Sequence, residues 1–457
     1  MVPRLNRRLR PPRFLLGVEH QMPSKPAEVR RSVPLKRSRV LRAATAAAVA
    51  AAVLVPCASA AGATFYVDAA SRGGRCSDAR TAAQVTLARP WCTLRRGLEA
   101  VPSGGRLALR GGTYPGLIFT GFSRPATVTV APYQAEKPVI ARIELRTASN
   151  LSIVGLSVPG GFMVRGGSFL NFALNLVDAK PAGQGTPPGF SLWNVHAVAV
   201  RGNVVRDASY GVHVRGSIPV SSDVAIERNT FQALGYDGVH VSGGDRIQVA
   251  GNDFADIHPR PDIDAAAHSD AIQSEAPTTA FTVAGNRVHG GRGFLFMVAA
   301  TETDRRDYGH RGLTIQNNLL TGPDFGMRLY STQNLRLVNN TVWGSSDSTA
   351  HGVNVLNRVG TVNLPTTGAV VANNVFKRFG FAAPVKFSAR TANLIAAGAT
   401  ATGDLTGAPT FRGAGDFRLK AGSRGIDRAV ASFAPPLDLT GASRYGRPDV
   451  GAFEYRP

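Results

Sequence analysis

From Val198 onward the chain repeats one short arrangement of apolar and polar positions, apolar-x-apolar-x-x-Asn. It occurs at 198–203, 224–229, 247–252, 281–286, 313–318, 335–340 and 369–374, closing on Asn203, Asn229, Asn252, Asn286, Asn318, Asn340 and Asn374. Successive asparagines lie 26, 23, 34, 32, 22 and 34 residues apart, so a unit of 22 to 26 residues recurs and the longer steps carry an added loop. Each unit holds a second short run: Gly211 to Val214, Gly238 to Val241, Ala271 to Gln273, Gly293 to Phe296, Gly326 to Leu329, Gly352 to Val355 and Pro384 to Phe387. Period-two alternation in runs this short, bounded by Gly, Asn and Asp, predicts strands rather than helices.

One such unit has too few apolar residues to bury alone. Units must therefore stack, each pairing its strands in parallel with the next at about 4.8 Å. The prediction is an all-β, single-stranded parallel β-helix, a solenoid. The recurring asparagines belong at the turn after the strand, where Asn tolerates left-handed backbone and bonds along the stack like a ladder. The Val, Ile and Leu rows are core.

The 457 residues include 50 Gly, 29 Pro, three Cys and 44% hydrophobic residues, a composition that excludes collagen, a coiled coil, a disulfide-stapled miniprotein and wholesale disorder. The formal charge of +22 asks for an acidic partner, but residues 1–42 alone carry 12 Lys and Arg against two acids. The basic run Lys36 to Arg42, the apolar run Ala43 to Val55 and the small residues Ala58, Ser59 and Ala60 have the layout of a secretory signal. That apolar run is short for a membrane span, so a secreted, extracellular protein is expected, without a transmembrane anchor in the mature chain. In an oxidising compartment Cys76 and Cys92 predict a disulfide in preference to a metal pair or free thiols. The expected organisation is leader and signal over 1–60, an N-terminal cap over 61–103, the solenoid over 104–395 and a C-terminal capping segment over 396–457. The basic residues are scattered and no aromatic stacking stripe is visible, so nucleic acid is not an expected partner. A monomer is expected.

Two further stretches carry a resemblance. The first comprises Phe65 to Asp68, Pro90 to Leu94 and Leu107 to Tyr114; the second comprises Asp416 to Leu419, Gly422, Ser423, Ile426, Asp427, Asp438 to Gly441 and Asp449 to Glu454. With these the chain resembles, over roughly residues 64 to 457, the secreted right-handed parallel β-helix proteins of the pectate-lyase-like superfamily. The resemblance implies a right-handed coil with caps at both ends, covering edges a solenoid otherwise exposes. It also implies lyase, epimerase or hydrolase activity on uronate polymers. The Asn-Thr-Asp, Gly-His-Gly and Arg-Ile-Lys signatures of polygalacturonases do not occur, nor does the Trp-Ile-Asp-His signature of pectate lyases. The carry-over from either family therefore stops at the fold.

Stacking turns equivalent strand positions into columns. The outward column of the second strand reads His213, His240, Gln273, Leu295, Arg328, Asn354, Lys386. Tyr210, Tyr236, Asp237, His268 and Asp270 precede it at the strand entrance. The insertion Asp253 to Glu275 holds six acids in 23 residues, together with His258 and His268. Such a loop is either a solvated face or part of a site. As a site, its candidate catalytic groups are His240, His268, Asp270, Gln273, Arg328, Tyr236 and Asp237. His213, Tyr210, Tyr330 and Asn354 are candidate substrate contacts. Asp262, Asp264 and Glu275 are oxygen donors for a possible calcium ion; no other cofactor is expected.

Uronate lyases and epimerases must neutralise a carboxylate and remove the adjacent proton. Arg328 suits the first task, and His240, ordinarily titrating near 6.5, is the expected base. Tyr236 or His268 would return or donate a proton, while Asp237 or Asp270 would orient a histidine. A hydrolase would instead need a carboxylate pair, for which Asp237 and Asp270 are the candidates. The expected function is a lyase or epimerase acting on an acidic polysaccharide. The alternatives are a glycoside hydrolase and a non-catalytic, adhesin-like glycan-binding solenoid.

Overall fold

The computed structural model describes residues 62–72, 74–216, 220–264, 269–290, 294–298, 309–322, 325–344, 352–359 and 362–457. Each turn of the chain contributes strands to three parallel sheets. The first contains the starts of Ile143–Val154, Phe162–Ala173, Phe190–Arg201 and Val239–Ala250, together with Val212–Arg215 and Ile272–Thr279. The second contains the later halves of those long strands, with Ser222–Glu227 between them. The third contains Val204–Arg206, Thr230–Gln232 and Asp253–Ala255. The 12-residue strands bend from the first sheet to the second at left-handed residues such as Thr147, Gly166, Asn194 and Gly243.

Alternation does what the sequence pattern requires. Val212 and Val214 point inward and are fully buried, as are Val239 and Val241. Phenylalanines stack along the axis inside: Phe162 and Phe190 have ring centroids 4.8 Å apart, and Phe231 and Phe254 are 5.1 Å apart. These spacings match the strand separation, so each ring lies over the ring of the next rung.

The turn between the second and third sheets is an asparagine ladder. Asn252 Oδ1 accepts from the backbone N–H of Asn229 (2.9 Å) and from its Nδ2 (3.0 Å), while Asn252 Nδ2 donates to Ile226 O (2.9 Å). The same exchange runs from Asn175 through Asn393, two rungs beyond the seven repeats, and ends at Asp404, which only accepts. The ladder residues themselves are not left-handed. That conformation falls on the residue before each, Gly202, Arg228, Gly251, Gly285, Asn317, Asn339 or Asn373, which turns the following amide into the core.

At the N-terminal end, helix Leu94–Ala100 begins at Thr93, whose Oγ1 accepts from Arg96 N–H, and buries Leu94, Gly97 and Leu98. Cys76 and Cys92 form a disulfide with Cα atoms 4.9 Å apart. Thr64–Val67 lies within the stretch assigned to the cap, yet it already pairs in parallel with Arg106–Leu109 as a rung. The C-terminal segment does more than close an end. Its backbone runs back along the solenoid, where Asn317 donates to Leu437 O, Asn339 to Asp449 O and Asn373 to Val430 O.

Candidate functional site

The site lies on the first sheet, where the turns arriving from the third sheet deliver polar residues to the strand entrances. The outward column there runs Glu144, Met163, Ser191, His213, His240, Gln273, Met297, Arg328, Asn354 and Gly380. Two expected members are corrected. Met297, not Leu295, stands between Gln273 and Arg328, because Ile272 pairs with Phe296 rather than Phe294, a register two residues later than the glycine signalled. Gly380 replaces Lys386, because Val375–Phe381 continues from the third sheet into the first without a new glycine.

His213 and His240 face outward but are only 6% and 5% exposed. They are covered by residues from the strand entrances. Tyr210 and Tyr236 stack with centroids 4.9 Å apart, and the Tyr210 ring lies 4.8 Å from His213 and 5.7 Å from His240; the two imidazoles are 4.5 Å apart.

His240 is held between two carboxylates. Its Nδ1 is 2.6 Å from Asp237 Oδ2, and Asp237 Oδ1 accepts from the backbone N–H of Asp270 at 2.8 Å. On its other side Nε2 lies 2.9 Å from Glu275 Oε1, an ion-pair distance, but the oxygen sits off the N–H direction and no hydrogen bond forms. Glu275 reaches this place through a β-bulge. Val241 pairs with Ser274 and Ser242 with Ala276, so Glu275 is the extra residue, swung toward the histidine and held by Ser242 Oγ at 3.0 Å. Burial disfavours a charge on His240, but the hydrogen bond to Asp237 and the nearness of Glu275 outweigh it and raise its pKa to about 9. The expected base is thus an imidazolium at neutral pH, a proton donor. Burial, then the charges of His240 and Arg215, push His213 down to about 2, so that ring stays neutral. Burial, then the charge of Asp237, raises the Tyr210 hydroxyl to about 12.

The remaining candidates divide. Gln273 is the next rung after His240 in the column. Arg328 is three rungs from His240, about 14 Å along the axis at one strand spacing per rung. That is too far to serve the same sugar. Tyr330 lies on the rung of Arg328, and Asn354 one rung beyond. His268 falls outside the described residues.

The acids of the insertion mostly pin it down. Arg260 bonds Asp262, Asp207 and the carbonyl of Ala233, and Asp264 accepts from the Tyr236 hydroxyl (2.9 Å) and from Gln184. With Asp262 on Arg260, Asp264 on Tyr236 and Glu275 beside His240, the three expected calcium donors do not converge. Among the described residues no group of three His, Cys, Asp or Glu is placed to hold a metal ion.

Residues 188–380 match the family described as the right handed beta helix region. The fold of the described residues is a right-handed parallel β-helix. No curated protein matches its sequence. Solved structures that resemble it include a pectate lyase (16% identity, covering 87% of this chain and 98% of that one, TM-score 0.39). They also include a lacto-N-biosidase of Eubacterium ramulus (10%, 76% and 68%, 0.42) and an alginate lyase of Paenibacillus (15%, 72% and 98%, 0.38). Likeness at this level concerns the backbone and leaves the reaction to the site. Among the described residues no helix is long and apolar enough to cross a membrane.

What sequence reasoning missed in this β-helix protein is Arg215, whose Nε lies 3.0 Å from both ring nitrogens of His213. It stands two positions after His213 on the same strand and therefore on the same face. That parity was the available signal. The aim of Glu275 had none, because a bulge depends on how two rungs pair.

Proposed function

We propose that this protein is an exported carbohydrate-active enzyme that cleaves or epimerises an acidic polysaccharide by proton transfer at His240. The observation that carries the reading is a buried, outward-facing pair of imidazoles 4.5 Å apart, one set between two carboxylates that favour its charged form and the other beside an arginine that favours its neutral form. Two adjacent rings in opposite protonation states are the equipment for removing one proton and delivering another.

In this scheme Arg215 meets the uronate carboxylate and offsets the charge that builds up when the neighbouring carbon is deprotonated. The same carboxylate would offset the positive charges that help depress His213, raising its basicity when substrate is bound and fitting it to accept the proton. His240, oriented by Asp237, donates to the departing glycosidic oxygen in a lyase, or to the opposite face of the carbon in an epimerase. Hydrolysis by Asp237 and Asp270 is the weaker reading, since both are almost fully buried and Asp237 is already engaged by His240 and by the Asp270 N–H. Export rests on the signal-like leader and agrees with the disulfide.

The test is to incubate the mature chain with alginate, pectate and glycosaminoglycans, with and without calcium. Ultraviolet absorbance from unsaturated uronates identifies a lyase. Solvent-proton exchange at the sugar, followed by NMR, identifies an epimerase. Reducing ends without absorbance overturn the scheme in favour of a hydrolase. Retention on a polyanion column with none of these leaves a binding protein.

A further inference from the structure

Beside the histidine column, two residues further along each strand, runs a second outward column: Arg146, Arg165, Trp193, Arg215 and Ser242. Its arginines differ in one respect. Arg146 shares Glu144 with Arg142 at 2.7 Å each, whereas Arg165 and Arg215 form no ion pair among the described residues. Arg165 Nε contacts only Met163 Sδ, at 3.3 Å, and Arg215 Nε contacts His213. Instead, both guanidinium groups lie over Trp193, with Arg165 Cζ 5.5 Å and Arg215 Cζ 4.6 Å from the ring. They belong to the rungs before and after the tryptophan, so they cover its two faces and leave neither for stacking a sugar.

An indole between two cations holds them apart at a fixed spacing. Each cation–π contact supplies attraction without neutralising the charge. Two rungs of parallel sheet set that spacing at about 10 Å. His240, on the rung after Arg215, does not extend the array, because its charge is held between Asp237 and Glu275. On the other side Glu144, which is 3% exposed, pairs with both of the next arginines, Arg142 and Arg146, and offsets one of their two charges.

We infer that Arg165, Trp193 and Arg215 form a recognition site for an acidic glycan lying along the helix axis, reading two anionic groups about 10 Å apart on one side of the polymer. This rests on the proposed function and adds direction and spacing. A flattened two-fold glycan turns alternate sugars to the same side, so the site reads every second sugar. The charges of the intervening sugars face solvent, and beyond Arg165 the next two arginines already share Glu144.

Titration of the full chain with oligosaccharides of defined length by calorimetry tests this, using a homopolymeric uronate, hyaluronan fragments in which every second sugar carries a carboxylate, and neutral xylo-oligosaccharides. Arg165→Gln, at an exposed position, is expected to weaken both acidic ligands about ten-fold, the loss of one charge-assisted contact, and to lower the salt dependence of binding. Trp193→Leu is expected to do the same with Arg165 still present. Wild-type binding of acidic ligands that is unchanged in both variants overturns the inference and leaves the proposed function standing. An Arg165→Gln loss confined to the homopolymer overturns the two-rung spacing. Failure of the wild type to bind any acidic ligand removes both readings.

Discussion

The charge on His240 can be measured apart from any substrate. An ordinary imidazole titrates near 6.5, and Asp237 with Glu275 raise His240 to about 9 against the opposing effect of burial. A difference of about 2.5 units, at about 1.4 kcal/mol per unit, makes the protonated folded state about 3 kcal/mol more favourable than an unperturbed histidine would be. Because the folded value is the higher one, this stabilisation is fully present below about pH 6.5 and is lost as pH rises through about 9. Urea unfolding of the wild type and of His240→Gln, at intervals from about pH 6 to pH 10, isolates the term, because other titrating groups largely cancel in the difference. The stability gap should narrow by about 3 kcal/mol across that window. NMR titration of the imidazole gives the midpoint directly, and Glu275→Gln should lower it by about one unit or more. A gap that stays level with pH, or a midpoint at or below 6.5, refutes the reasoning. Turnover should likewise decline above about pH 9 as the donor loses its proton.

Three other outcomes are expected. His213, neutral down to about pH 2 when folded, is protonated only on unfolding over most of the acid range; relative to His213→Gln, the wild type should lose about 3 kcal/mol between pH 7 and pH 4 in the same unfolding assay. Asp237→Asn removes the carboxylate that orients His240, and should lower both the imidazole midpoint and kcat, the latter by about 100-fold or more, with the fold retained by circular dichroism. Asn252→Ala leaves its partners on Asn229 and Ile226 unmatched in a buried turn, while Asn286 keeps the backbone N–H of residue 252, and should cost about 3 kcal/mol; a shift of under 1 kcal/mol in denaturant unfolding counts against the ladder as a major support.

The solenoid was legible because its repeat is carried by backbone necessity. Val198 to Asn203 and its successors need inward apolar residues and a turn amide, and the short carboxamide of Asn both accepts and donates along the stack. Asn175 matches the same pattern through Leu170 and Phe172 and needed only one more rung of reading. Asn393 did not match, because a bulge displaces the first apolar position to Phe387 and Arg390 occupies the second, opposite Val371. The His213–His240 pair followed directly from alternation. Met297 was misplaced by two residues because a glycine is a weak marker of register where a loop precedes it. The raised pKa of His240 had a different source: Asp237, three residues away, was visible in the sequence, whereas the approach of Glu275 depends on an irregular rung.

The outer asparagines that grip the C-terminal segment change how such a coil comes apart. In a one-dimensional stack each rung touches only its neighbours, so loss of order at one end can travel rung by rung. Here Asn317, Asn339 and Asn373 tie three rungs to one segment through Leu437, Asp449 and Val430, which makes those rungs mechanically parallel rather than serial. Force or denaturant must release all three together. The half that carries His213 and His240 has no such clasp at Gly202, Arg228 or Gly251 and is tied instead at another corner, where the insertion reaches Gln184, Asp207, Ala233 and Tyr236 through Arg260 and Asp264. In hydrogen exchange, the late rungs should open as a block, and loss of Arg260 should loosen the early ones without touching that block.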